Sequence, residues 1–95
     1  MRVVKPLPFP KEPTLRTAAE LGAAIRAART TSGLSLPDAA VALGIAKQTL
    51  QDLEHGKETV GLGIALRAAT QLGVALFIAP GADRELIRRR VLSNS

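Results

Sequence analysis

The segment Leu36–His55, LPDAAVALGIAKQTLQDLEH, decides how this chain folds. Its first eight residues, Leu36–Leu43, put Ala39, Ala40 and Leu43 on one helical face, and Gly44 ends the run. Ser35 followed three residues later by Asp38 is a capping signature, and Pro37 is tolerated in a first helical turn. A second helix, Ala46–His55, follows almost at once, with Leu50 and Leu53 directed inward. Lys47, Gln48, Gln51, Asp52 and His55 fall on its other side, because steps of three and four share a helix face. Small residues at Ala39 and Ala40 let the two helices approach closely. Two short helices joined by a tight glycine turn form a helix-turn-helix, whose second helix presents its outer face to the major groove of DNA.

Upstream, Thr17 and Glu20 have the spacing of a capping box. Leu21, Ile25 and Ala28 then recur at helical intervals, which predicts a helix to about Thr31, with Gly33 as its stop. The proline-rich start, through Pro13, predicts an extended arm without its own core. Downstream, the loop Gly56–Gly61 leads to a fourth helix with an apolar stripe of Leu62, Ala65, Leu66, Ala69 and Leu72, and Gly73 fits the position after its end. Val74–Ala79, VALFIA, is too short and too apolar for a surface helix and is closed by Pro80 and Gly81, which predicts one β-strand. A single strand cannot satisfy its own backbone, so the expected partner is the same strand of a second copy. Asp83 to Arg90 predicts a short basic helix, and Ser93-Asn94-Ser95 is expected to fray. There is no internal repeat.

At 95 residues the chain has room for a single modest core, which dimerisation would enlarge. The absence of cysteine removes disulfides, thiolate metal sites and thiol nucleophiles together. The opening MRVVKPLPFPKEP has no apolar stretch fit for a signal peptide, and no segment reaches membrane-spanning length, so a soluble protein of the bacterial cytoplasm and nucleoid is expected. The net charge of +5 sits at the two ends. Arg2, Lys5, Lys11 and Arg16 outweigh Glu12 in residues 1–16, and Arg84, Arg88, Arg89 and Arg90 outweigh Asp83 and Glu85 in residues 80–95, while residues 17–79 balance. That pattern implies a basic proline-rich arm (1–16), a helix-turn-helix and dimerisation domain (17–79) and a basic C-terminal tail (80–95), the ends being suited to phosphate. With no Trp or Tyr and only Phe9 and Phe77, the chain lacks stacking platforms for single strands, so no RNA partner is expected and a DNA duplex is favoured.

Catalysis is not expected. The carboxylates are scattered, and His55, the sole histidine, has no plausible second metal ligand. Ser32, Ser35 and Thr49 have no orienting His–Asp pair near them, and Gly61-x-Gly63 lacks the strand and spacing of a phosphate loop. Neither a metal nor any other cofactor is expected.

The stretch LGAAIRAARTTSGLSLPDAAVALGIAKQTLQDLEHGK, followed by VGLGIALRAATQLGVALFI, resembles the Xre/Cro-type helix-turn-helix family and, within it, the HipB-like antitoxin branch. The match runs from about Leu21 to Ala79, and Gly33-Leu34-Ser35, Gly44, Leu53-Glu54 and Gly56-Lys57 carry it. The resemblance implies an all-α, lambda-repressor-like domain of four to five helices, with the short C-terminal strand pairing across a dimer through Val74, Leu76, Phe77 and Ile78. It implies base reading by Lys47, Gln48, Thr49, Gln51 and Asp52. Gln48 can pair bidentately with adenine, and Lys47 can donate to guanine or phosphate. For Asp52, local pairing with Gln48 or His55 is favoured over direct readout, because a carboxylate is repelled by phosphates. Similar proteins lock the first helix to the recognition helix by an ion pair, here Arg29 with Glu54. Where they often carry a phosphate-binding glutamine, this chain has Leu36, so the backbone grip is expected among Ser35, His55, Lys57, Thr59 and the arm residues Lys5, Lys11 and Arg16.

The implied function is a homodimeric, sequence-specific repressor on a two-fold symmetric operator, acting as antitoxin of a type II pair with a HipA-like kinase toxin and autoregulating its operon. Two alternatives stand beside it: a stand-alone phage-type repressor without a toxin, and a protein-interaction module that has lost DNA binding, to which Leu36 and Asp52 lend weight.

Overall fold

Thr17 begins the first helix, α1 (Ala18–Thr31), because its extended backbone lets its hydroxyl accept from the Glu20 N–H at 3.1 Å while the Glu20 carboxylate accepts from the Thr17 N–H at 3.0 Å. The structure, a computed structural model, describes residues 3–93. α2 (Leu36–Leu43) starts at Ser35, whose hydroxyl accepts from the Asp38 N–H, and ends at Gly44. The left-handed backbone of Gly44 (φ 68°) reverses the chain within a few residues at a position where a side chain would be strained. α3 (Lys47–Glu54) and α4 (Leu62–Gln71) follow. A single turn of 3₁₀ helix, Gly81–Asp83, leads into α5 (Arg84–Ser93). The architecture is all-α.

The core is built where α1, α2, α3 and α4 converge. Ile25 and Leu50 are its largest fully buried side chains, and Ala39, Ala40 and Leu43 of α2 close against them. Alanines carry much of the remaining contact: Ala65, Ala68 and Ala69 bring α4 close, and Arg67 donates to the Leu43 carbonyl at 3.1 Å, tying α4 to the end of α2.

Three expectations change. The segment Val74–Ala79 forms neither helix nor strand, and no strand occurs among the described residues. Within one chain no other backbone is available to make a ladder with it. Val74 instead joins the core and its N–H continues the end of α4 by donating to the Ala69 carbonyl at 2.8 Å, while Leu76, Phe77 and Ile78 are exposed. The stripe expected to face inward on α4 is only partly covered: Ala65 and Ala69 are buried and Leu72 half-buried, but Leu62 and Leu66 flank the contact and face solvent. The alanine face sets the approach, and a single chain has nothing left to cover the leucines. α5 also runs three residues beyond Arg90, taking in Ser93; Asn94 and Ser95, expected to fray, lie outside the described residues, as does Arg2.

The proline-rich arm carries no helix or strand, and it is held. The Leu7 N–H donates to the Thr30 hydroxyl at 3.0 Å, and the Thr30 hydroxyl donates to the Ala27 carbonyl. Val4, Leu7 and Pro10 are half-buried while most residues between them are exposed, a repeat of three that matches one face of a polyproline II helix. Ala27 and Thr30 are buried on the side of α1 opposite Ile25 and Arg29, and Ala27 stands outside the core cluster. The arm is therefore a strap along the outer face of α1. Its far end is fixed where Glu12 accepts from Arg88 of α5 at 2.8 and 3.1 Å.

Candidate nucleic-acid interface

α3 is a short helix with two different sides. Leu50 and Leu53 are buried, and Glu54, one step further round, is buried with them. Glu54 receives Arg29 of α1 through two parallel bonds, Nε to Oε2 at 2.6 Å and Nη2 to Oε1 at 2.9 Å, with only 9% and 3% of the two side chains exposed. The remaining donor Nη1 reaches the Leu34 carbonyl at 2.9 Å, so the same guanidinium ties α1, α3 and the turn into α2. A bidentate pair fixes orientation as well as distance. Gly22 lets α1 come close enough for this, because a Cβ there would collide with the backbone carbonyls of Leu53 and Glu54.

The other side of α3 faces solvent. Lys47 and Gln48 are exposed, and Thr49, Gln51 and Asp52 are half-buried on the flanks. The Gln48 side-chain amide donates to Asp52 Oδ1 at 2.9 Å, one turn along the helix. The Lys57 ammonium stands 3.6 Å from Asp52 Oδ2, and the Lys57 N–H donates to the Asp52 carbonyl at 2.9 Å. Asp52 is thus held by Gln48, as the spacing suggested, and by Lys57, and among the described residues no side-chain bond joins it to His55. The carboxylate is offset locally, which leaves Lys47 as the outward cation at the start of the helix. α3 opens at Ala46 without any side-chain cap, so its first N–H groups point out unpartnered by a side chain.

The residues expected to grip a DNA backbone fall into two groups. His55, Lys57 and Thr59 are exposed and lie directly after α3, and Ser35 sits at the start of α2 with its hydroxyl already engaged by Asp38. Lys5 and Lys11 belong to the strap, and Arg16 stands where the strap enters α1, its N–H donating to Glu20 at 2.7 Å. Leu36 is half-buried against the core and offers no polar side-chain atom for a phosphate. Of the residues assigned to a dimer strand, Val74 is buried in its own chain, whereas Phe77 and Ile78 are 90% and fully exposed.

Sequence reasoning did not single out Gly22, Thr30, Glu12 or Arg88. A glycine inside a helix was a visible signal for the first; the others are joined only by tertiary contacts. Among the described residues no group of His, Asp and Glu is placed to hold a metal ion, and no helix is long and apolar enough to cross a membrane.

Residues 20–76 match the family described as helix-turn-helix domain. The chain is similar to an uncharacterized HTH-type transcriptional regulator, y4mF, of Sinorhizobium fredii, with 32% identity over 72 residues, spanning 75% of this chain and 95% of the relative. Among solved structures it is similar to a chain of a HipB–O4 20mer complex, with a TM-score of 0.63 and 16% identity over 72% of this chain and 96% of that one. A chain of a HipA–HipB–O2–O3 complex matches with the same TM-score of 0.63, identity of 16% and coverage of 72% and 96%. At that identity the likeness speaks for the fold.

Proposed function

Because the chain belongs to the helix-turn-helix domain family and has a HipB-like fold, we propose that it binds double-stranded DNA and represses transcription. One observation carries this reading: α3 is braced from behind by the buried Arg29–Glu54 pair and left open in front at Lys47 and Gln48. A rigid short helix with an uncovered polar face is what reading a major groove requires, since base-edge hydrogen bonds reward a fixed register. Gln48 reads adenine once it exchanges its bond to Asp52 for the base, Lys47 donates to guanine or phosphate, and Thr49 and Gln51 flank them. His55, Lys57, Thr59 and Ser35, with Lys5, Lys11 and Arg16 of the arm, hold the DNA backbone.

The protein works as a homodimer. Leu62, Leu66, Phe77 and Ile78 form apolar surface that one chain leaves uncovered, and pairing Val74–Ala79 between copies gives that segment the ladder it lacks. Two copies of α3 then address half-sites about 34–36 Å apart on a two-fold symmetric operator. In the cytoplasm, at the nucleoid, it represses its own operon as the antitoxin of a type II pair whose toxin is a HipA-like kinase; the reading draws on the HipB likeness, one of whose matched structures also contains HipA.

Fluorescence anisotropy with duplex from upstream of the gene, across a salt series, tests the proposal. Preference for that duplex over an unrelated one, with affinity falling steeply as salt rises, is the expected result. Equal and feeble binding to both would favour the interaction-module alternative. Co-purification of the neighbouring gene's product tests the antitoxin assignment separately.

A further inference from the structure

α1, α3, α4 and the loop between α3 and α4 leave a groove of about 230 Å³ where Leu21, Leu53, Val60, Leu62 and Ala65 meet. Leu53 belongs to the buried side of α3, so the groove lies behind the recognition helix. Lys57 and Glu58 bring opposite charges to its lining, which leaves no net sign to attract phosphate. A duplex presents phosphates and polar base edges and has little to bury on five apolar side chains. The volume is also below the roughly 300–1,000 Å³ of small-molecule pockets, which suits a protein side chain better than a ligand.

The chain itself carries such a side chain. Phe77 is 90% exposed, and it follows Val74, which is packed in the core at the C-terminal end of α4. The groove lies at the other end of α4, where Leu62 lines it and is 72% exposed. Leu66, one turn on, carries exposed apolar surface from the groove toward the C-terminal end. In an isologous dimer a two-fold axis makes each contact twice. Laying α4 against α4 of a second copy in opposite directions, with Leu66 near the axis, sets the C-terminal end of each helix beside the groove of the other. α4 spans about 15 Å and the three residues from Val74 to Phe77 reach about 10 Å, so the ring can cross to the groove.

We infer that Phe77 of one copy seats in the groove of the other, against Leu53, Val60 and Leu62, so that each recognition helix is backed by a residue of the second copy. The inference rests on the homodimer reading and names its contact. An aromatic anchor in an apolar pocket is a common energetic centre of an interface. Seated there, the ring also covers the Lys57 stem just beyond α3. The ladder proposed for Val74–Ala79 uses backbone groups and leaves the ring free. Dimerisation and duplex recognition are thereby joined through Leu53.

The test uses the unmodified chain, mixed from carbon-13-labelled and unlabelled copies, with isotope-filtered NMR that reads only contacts between copies. Phe9 and Phe77 are the only aromatic residues besides His55, so their ring signals sort readily. The expected contacts run from the Phe77 ring to the Val60 and Leu62 methyl groups of the other copy. In sedimentation, Phe77→Ala should weaken dimerisation at least tenfold, whereas Phe9→Ala should leave it unchanged. Phe77 is exposed in its own chain, and circular dichroism confirms that both variants fold. A dimer in which the Phe77 ring touches only Phe77 or Ile78 of the second copy overturns the inference and leaves the homodimer reading standing. So does a dimer whose dissociation constant is indifferent to Phe77→Ala. A chain that stays monomeric at millimolar concentration overturns both.

Discussion

Arg29 and Glu54, 25 residues apart in the chain, meet through two hydrogen bonds of 2.6 and 2.9 Å inside the domain, and this contact turns an eight-residue helix into a fixed surface. α3 has no side-chain cap at its start and is too short to be stable alone. Its orientation comes from Leu50 and Leu53 in the core and from this pair at its end.

Glu54→Ala leaves Arg29 buried without its partner, which costs on the order of 3–5 kcal/mol. The expected outcome is a large drop in melting temperature, measured by circular dichroism, with DNA affinity at low temperature largely retained. A variant of normal stability that no longer binds duplex would move the pair from the scaffold to the DNA-contacting face.

Gly22→Ala should destabilise the fold although alanine is the better helix former by about 1 kcal/mol. The added methyl meets the carbonyls of Leu53 and Glu54, which are backbone and cannot rotate away. A thermal melt decides it, and a raised melting temperature would show that α1 does not press on α3 at this point.

Asp52→Ala releases both Gln48 and Lys57. Affinity should rise by a similar factor for every duplex, because a repelling carboxylate is gone and a lysine is freed for phosphate. Loss of affinity confined to the operator would mean that Asp52 itself reads a base, as an acceptor for cytosine N4.

The Thr14 hydroxyl, bonded at 2.6 Å, and next Arg88 hold the Glu12 carboxyl at about 2, below its ordinary 4.5. A carboxylate depressed in the folded state contributes above its unfolded value and loses that contribution as pH falls through the folded one. The link between strap and α5 should therefore persist from neutral pH through mild acid and open only toward pH 2. Carbon NMR titration of Glu12 checks this, and Thr14→Val should raise the midpoint. A midpoint already near 4.5 in the wild type would show that the strap is not latched.

Much of the fold was legible because local signals agreed with it. The Thr17–Glu20 box, the Ser35 cap and Gly44 delimit α1 and α2 as read, and Leu50 and Leu53 turn α3 to the side expected. Periodicity misjudged α4, because alternation of alanine and leucine does not reveal that alanines set the closest approach and leave Leu62 and Leu66 outside. Val74–Ala79 has strand composition, but a ladder needs a second backbone that composition does not supply. The strap was beyond local reading: Leu7 with Thr30 and Glu12 with Arg88 span 23 and 76 residues. At the candidate site the spacing from Gln48 to Asp52 announced their bond, whereas Lys57 reaches Asp52 only because the chain turns after His55.

The central claim is that the open face of α3 reads base sequence. The measurement is the ratio of operator to unrelated-duplex affinity for the wild type and for Lys47→Ala with Gln48→Ala, both variants first shown to melt like the wild type. Each lost base contact is worth about 1–3 kcal/mol of discrimination, so the ratio should collapse at least tenfold while binding to unrelated duplex changes little. An operator preference that survives both substitutions intact would place sequence reading elsewhere and contradict the account.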